Sequence, residues 1–218
     1  MNRKDGEKGE RIDRIWEVSV YLCAVLIMFF GIQNFLERKL SYLLIVLCFL
    51  YAVPTRKFGR LGLTRHNTKG SIIVGAGIGI IYGTIRGLAL TYVSGSELVL
   101  GADLARIAPR LTTGIEVGPL VLTKGGVIPL VVLLFPAMLG MEMYFRGLLF
   151  LNLKRHVHWT GAVAVTSAVQ AIGRRTPHSL IMGSIAGILM QKYDNVLAPA
   201  MMHAFQFFCA LSIFLYLS

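Results

Sequence analysis

The chain has 218 residues, of which 55% are hydrophobic and 15% charged. A soluble domain averages roughly 45–50% apolar and about 25% charged, so the balance argues against a water-soluble domain and for the membrane. The formal net charge of +11 does not imply nucleic acid, because the basic residues stand at the ends of apolar runs, where they meet phospholipid head groups.

A polar tail comes first, residues 1–15, with Arg3, Lys4, Lys8, Arg11 and Arg14 against four acids. The apolar run behind it is too long for a signal-peptide core, and no small-residue cleavage site follows. It reads as an uncleaved first span. The remainder, 16–218, reads as a single transmembrane helical domain with no linker to divide it.

A membrane helix needs about 20 mostly apolar residues, with roughly 17–25 as the working range. On that measure the expected fold is an all-α bundle of about seven spans, at 16–35, 40–53, 71–93, 127–153, 159–173, 177–193 and 196–217. The second and fifth are short, so six to eight is the range. Lys and Arg favour the cytoplasmic side of a span. With the amino terminus inside, cytoplasmic segments hold 13 of them and the opposite side 7, while Arg86 and Arg146 lie within spans. The expected location is therefore a plasma or inner membrane, with the amino terminus cytoplasmic.

Cys23, Cys48 and Cys209 lie singly in three different spans. With no C-x-x-C pair they indicate neither a disulfide framework nor a thiolate metal site, and they read as small packing residues. The third span carries Gly75, Gly79, Gly83 and Gly87, and the sixth repeats the four-residue step at Gly183 and Gly187. Such a stripe lets another helix approach closely. Tight packing inside one bundle is the favoured reading; docking of a membrane-protein partner or a second copy on the third-span stripe is the sharper one. Residues 94–126 mix Gly, Pro and Thr with alternating apolar residues, which fits a hairpin or an interfacial helix.

Polar residues at membrane depth carry the functional signal, because a charge in hydrocarbon is costly without a partner or water. Glu142 and Arg146 stand i, i+4 in the fourth span and can pair. Gln170 lies one turn before Arg174 at the end of the fifth, and His203 lies early in the seventh. The topology puts Glu142 and His203 in the same half of the membrane, so a shared polar cavity is expected.

These residues carry a resemblance. Met141-Glu142-Met143-Tyr144-Phe145-Arg146-Gly147 resembles the E-E-x-x-F-R-G motif of the CAAX protease and bacteriocin-processing (CPBP, or Abi) family of intramembrane metalloproteases. Gln170-Ala171-Ile172-Gly173-Arg174 falls where that family has F-x-x-x-H, and His203-Ala204-Phe205-Gln206-Phe207 aligns with its H-x-x-x-N. The likeness covers roughly 130–210. It implies that the first motif's leading Glu would activate water, that the second motif's His would help hold the metal, and that the Asn would stabilise the oxyanion. This chain has Met141, Arg174 and Phe207 at those three places and retains Glu142, Arg146 and His203.

A catalytic zinc wants three protein ligands and an open position, and a general base must reach the water proton. Glu142 and His203 supply two ligands at most, Met141 cannot accept a proton, and Arg174 would repel a divalent ion. The expectation is a non-catalytic family member with no cofactor, acting as a membrane scaffold or a subunit of a membrane complex and contacting lipids but no nucleic acid. Two alternatives stand beside it. One is an active zinc endopeptidase that uses substitute groups such as His156, His158 or His178. The other is a transporter or lipid-handling protein, for which the chain shows no paired broken helices or internal repeats.

Overall fold

A computed structural model describes residues 15–26, 58–64, 67–92, 115–117, 120–122, 127–174 and 177–217. Helix α1 spans Ile15–Leu26. A single 3-10 turn, Phe58–Leu61, runs on through Thr64 as an irregular strap. Helix α2 spans Thr68–Tyr92. Strands β1 (Ile115–Val117) and β2 (Leu120–Leu122) form one antiparallel hairpin with Ile115 opposite Leu122. Helix α3 (Val127–Glu142) passes directly into a π-helical segment, Met143–Phe150, and one last α-helical turn, Leu151–Leu153. Helices α4 (Trp159–Arg174), α5 (Pro177–Tyr193) and α6 (Leu197–Leu217) complete the chain.

The helical class holds, with one departure: the hairpin lies inside the 94–126 segment for which hairpin and interfacial helix were both open. The described residues test the seven-span count only in part. Among the described residues two helices are long and apolar enough to cross a membrane, Thr68–Ala89 within α2 and Leu197–Phe214 within α6. The expected span at 40–53 lies outside the described residues, as does the second half of 16–35. Helices α4 and α5 stand where 159–173 and 177–193 were expected, and with 16 and 17 residues they lie at the short end of the roughly 17–25 that a crossing takes.

The glycine stripe settles how α2 packs. A Cβ on Gly75 would collide with the backbone carbonyl of Ala198, and one on Gly79 with that of Met202. On Gly83 it would stand 2.6 Å from Gln206 O, and on Gly87 2.8 Å from Ile213 Cβ. All four glycines therefore face α6 of the same chain, with the two backbones close enough for dense van der Waals contact. The stripe is internal packing, and the face that the docking reading needed is already covered. Gly183 and Gly187 do the same between α5 and α4: a Cβ there would stand 3.1 Å from Ser167 Cβ and 2.8 Å from Val163 Cγ2.

The opposite face of α2 is exposed and apolar, through Ile73, Ile80, Ile81, Ile85 and Leu88. Leu180, Ile181 and Ile188 of α5 continue that character. Inside, by contrast, Ser71, Glu142, Arg146, Thr166, Ser167, Gln170, His203 and Gln206 are buried. Exposed apolar helix faces thus stand beside a largely apolar core that also buries a group of polar and charged side chains. This arrangement suits a hydrocarbon solvent, in which polar groups must find partners within the protein.

Two short devices fix the chain entering the last helices. Asn195 caps α6, its Oδ1 accepting the Leu197 N–H at 2.9 Å, which satisfies one of the donors a helix start leaves open. Its Nδ2 donates to Thr64 O at 2.8 Å, so the same residue ties the strap to the α5–α6 turn.

Candidate functional site

The polar centre is built on the π segment. In a π-helix the hydrogen bonds reach i→i+5, and such segments occur mostly as short insertions, frequently at functional sites. No local sequence feature distinguishes Met143–Phe150 from ordinary α-helix; its eight residues are all buried. The carboxylate of Glu142 enters from the last turn of α3 and Arg146 from the π segment itself. Arg146 Nε lies 3.5 Å from Glu142 Oε2, with the two side chains 0% and 1% exposed. From α6, His203 Nε2 lies 3.1 Å from Glu142 Oε1. The expected shared cavity is thus a direct contact.

Arg146 reaches further. Its Nη2 donates to Gln170 Oε1 of α4 at 2.7 Å and to the Gly183 carbonyl of α5 at 2.8 Å. Arginine only donates, so Gln170 must turn its oxygen toward it. The result is a buried array in which one guanidinium joins α3, α4 and α5 and one carboxylate joins the π segment to α6. In such a medium each bond is stronger than in water and each vacancy more costly.

The residues replaced relative to the family motifs fall around this array. Met141 is buried beside Glu142, and Phe207 lies on α6 one turn beyond His203, half-buried. The backbone of Arg174 ends α4, while its side chain lies outside the described residues. Glu142 meets Arg146 and His203. Among the described residues no three His, Cys, Asp or Glu side chains stand where they could share a metal ion.

The substitute histidines are engaged elsewhere. His156 Nε2 meets Glu17 Oε1 at 2.8 Å, tying the α3–α4 turn to α1. His158 Nδ1 lies 2.9 Å from Thr160 Oγ1 at the start of α4. His178, at the start of α5, lies against α2, with Arg86 Nη1 at 3.0 Å from its Nε2 and Tyr82 Oη at 2.8 Å from its Nδ1. Because Arg86 can only donate, Nε2 accepts and the ring proton sits on Nδ1, donated to Tyr82. This Tyr82–His178–Arg86 cluster was not assembled from the sequence. A cation one helical turn after a tyrosine in the third span was its only trace, and nothing local shows that His178 is the partner.

Residues 123–208 match the family model of the Type II CAAX prenyl endopeptidase Rce1-like proteins. The match takes in the whole polar centre: Glu142, Arg146, Gln170, Gly183 and His203 all lie within it. No curated protein and no solved structure matches the chain. Over residues 123–208, where the surviving Glu-x-x-x-Arg and His positions form one buried array, the chain is similar to the Rce1-like CAAX proteases, and the match supports the family resemblance carried by the motifs.

Proposed function

We propose that this protein is a non-catalytic member of the family, a membrane scaffold or a subunit of a membrane complex. The observation that carries the proposal is the state of Glu142. The one acid kept from the first motif has a guanidinium at 3.5 Å on one oxygen and an imidazole at 3.1 Å on the other. It serves as the counter-charge of Arg146, not as a base facing water. Glu142 and His203 make two donors, whereas a catalytic zinc takes three protein ligands plus an open position, and Arg146 would bring a permanent positive charge beside the ion. The residues present do not fit a catalytic metal. Met141 offers no site for the water proton, and Phe207 offers no amide for an oxyanion.

Residence in a plasma or inner membrane with the amino terminus cytoplasmic belongs to the same proposal. The apolar exterior of α2 and α5 and the distribution of Lys and Arg support it. Lipid is the partner for those faces. Any protein partner must dock on surface other than the glycine stripe, which α6 occupies.

The test is metal analysis and a cleavage assay on protein purified in mild detergent. The expected result is zinc far below one equivalent and no cleavage of prenylated CAAX peptides. Zinc near one equivalent, or cleavage stopped by a chelator, would overturn the proposal.

A further inference from the structure

The strap at Phe58–Thr64 stands outside the family match, yet it is fastened at several independent points to the π segment that carries Arg146 and to the α5–α6 turn. Leu61 is 0% exposed and packs in one cluster with Met141, Tyr144, Phe145 and Leu148. Gly147, next to Arg146 in the chain, is what admits it: a Cβ there would collide with the Leu61 carbonyl and lie 2.7 Å from Leu61 Cα. The glycine of the first motif therefore makes room for another stretch of backbone, not for a side chain. Gly62 turns the strap with φ +72°, a left-handed conformation that favours glycine, and a Cβ there would stand 2.7 Å from Met190 Cε.

Hydrogen bonds hold the far side. Val196 N–H donates to Gly62 O at 2.9 Å, Thr64 Oγ1 donates to Asp194 O at 2.7 Å, and Asn195 Nδ2 donates to Thr64 O at 2.8 Å. The strap thus bridges the π segment and the α5–α6 turn. On the same π segment and its neighbours, Arg146 is 0%, Glu142 1%, Gln170 1% and His203 6% exposed.

We propose that the Phe58–Thr64 strap is an internal plug that seals the polar centre against water. A charged array kept dry holds its members more tightly than a wet one, and a sealed centre also withholds the water that hydrolysis of a peptide bond consumes. The plug goes beyond the non-catalytic reading, and either can fail while the other stands: one is tested by access to the centre, the other by metal content and cleavage.

The experiment reads access directly. In a background with Cys23, Cys48 and Cys209 changed to Ala, Met141→Cys places a reporter thiol in the cluster that Leu61 covers, and Ala186→Cys places a control in the separate core between α5 and its neighbours. A cationic, water-soluble methanethiosulfonate reagent is applied to the detergent-solubilised protein. With the native strap both thiols should react at least 100-fold more slowly than a free thiol. Gly62→Val, which strains the turn, and Thr64→Val, which removes one hydrogen bond and is the gentler change, should raise labelling at position 141 at least tenfold and leave position 186 unchanged. If neither position responds, or both respond together in Thr64→Val, the strap is not a plug and the proposal fails.

Discussion

Removal of Arg146 is the sharpest perturbation of the centre, because three polar partners depend on it. Arg146→Met keeps much of the volume and deletes the donor bonds to Gln170 Oε1 and Gly183 O, together with the charge 3.5 Å from Glu142. Hydrogen bonds to charged groups contribute roughly 1.5–3 kcal/mol each. Breaking a buried ion pair from one side costs about 3–5 kcal/mol, since a carboxylate is left without its counter-charge. The deletions share a common cause and do not add in full, so a loss of about 3–5 kcal/mol is expected. Glu142→Leu should cost a similar amount, by stranding Arg146. The double change Glu142→Leu/Arg146→Met removes both charges, and apolar replacement of a whole buried pair is often neutral or better. It should therefore be no less stable than either single variant. Unfolding by SDS titration in mixed micelles, followed through the fluorescence of Trp16 and Trp159, measures all four proteins. Additive losses would refute the pairing, and a loss below about 1 kcal/mol for Arg146→Met would refute the buried array.

Gly79→Leu should lower stability by at least about 2 kcal/mol, because overpacking a tight contact forces backbone to move; the same titration checks it, and a stable monomer that merely loses a co-purifying partner would contradict the α2–α6 packing. Tyr144→Phe removes the bond from Tyr144 Oη to Val20 O, so it should cost about 1 kcal/mol and make residues 15–26 a preferred site of limited proteolysis. Tyr82→Phe should cost about 0.5–1.5 kcal/mol by leaving His178 Nδ1–H without its acceptor, whereas an unchanged unfolding midpoint would remove that bond from the account.

How much of this was legible in the sequence depends on the range of the interaction involved. The four-residue step of Gly75, Gly79, Gly83 and Gly87 already required a helix with one bare face, because helical geometry is local. The i, i+4 spacing of Glu142 and Arg146 set up their pairing for the same reason, and the three motif positions in register pointed to the family whose model matches residues 123–208. The apolar runs set where α4, α5 and α6 lie to within a residue or so. Pattern alone gave seven crossings, and the described residues include two helices long and apolar enough to span a membrane.

Tertiary structure decided what each pattern meets. A bare glycine face attracts any helix with a matching surface, and only the fold brings α6 onto it, so that this face is closed to an outside partner. The spacing in the π segment resembles that of an α-helix until Leu61 backbone is seen against Gly147. Gln170, one turn from a motif position, becomes the acceptor for Arg146 because α4 crosses the π segment there. Likewise His178, read as a spare ligand, belongs to Tyr82 and Arg86, almost a hundred residues earlier in the chain. Local periodicity is written in backbone geometry that each residue carries with it. Pairings between distant segments exist only once burial has selected which charges and which bare faces can be satisfied together.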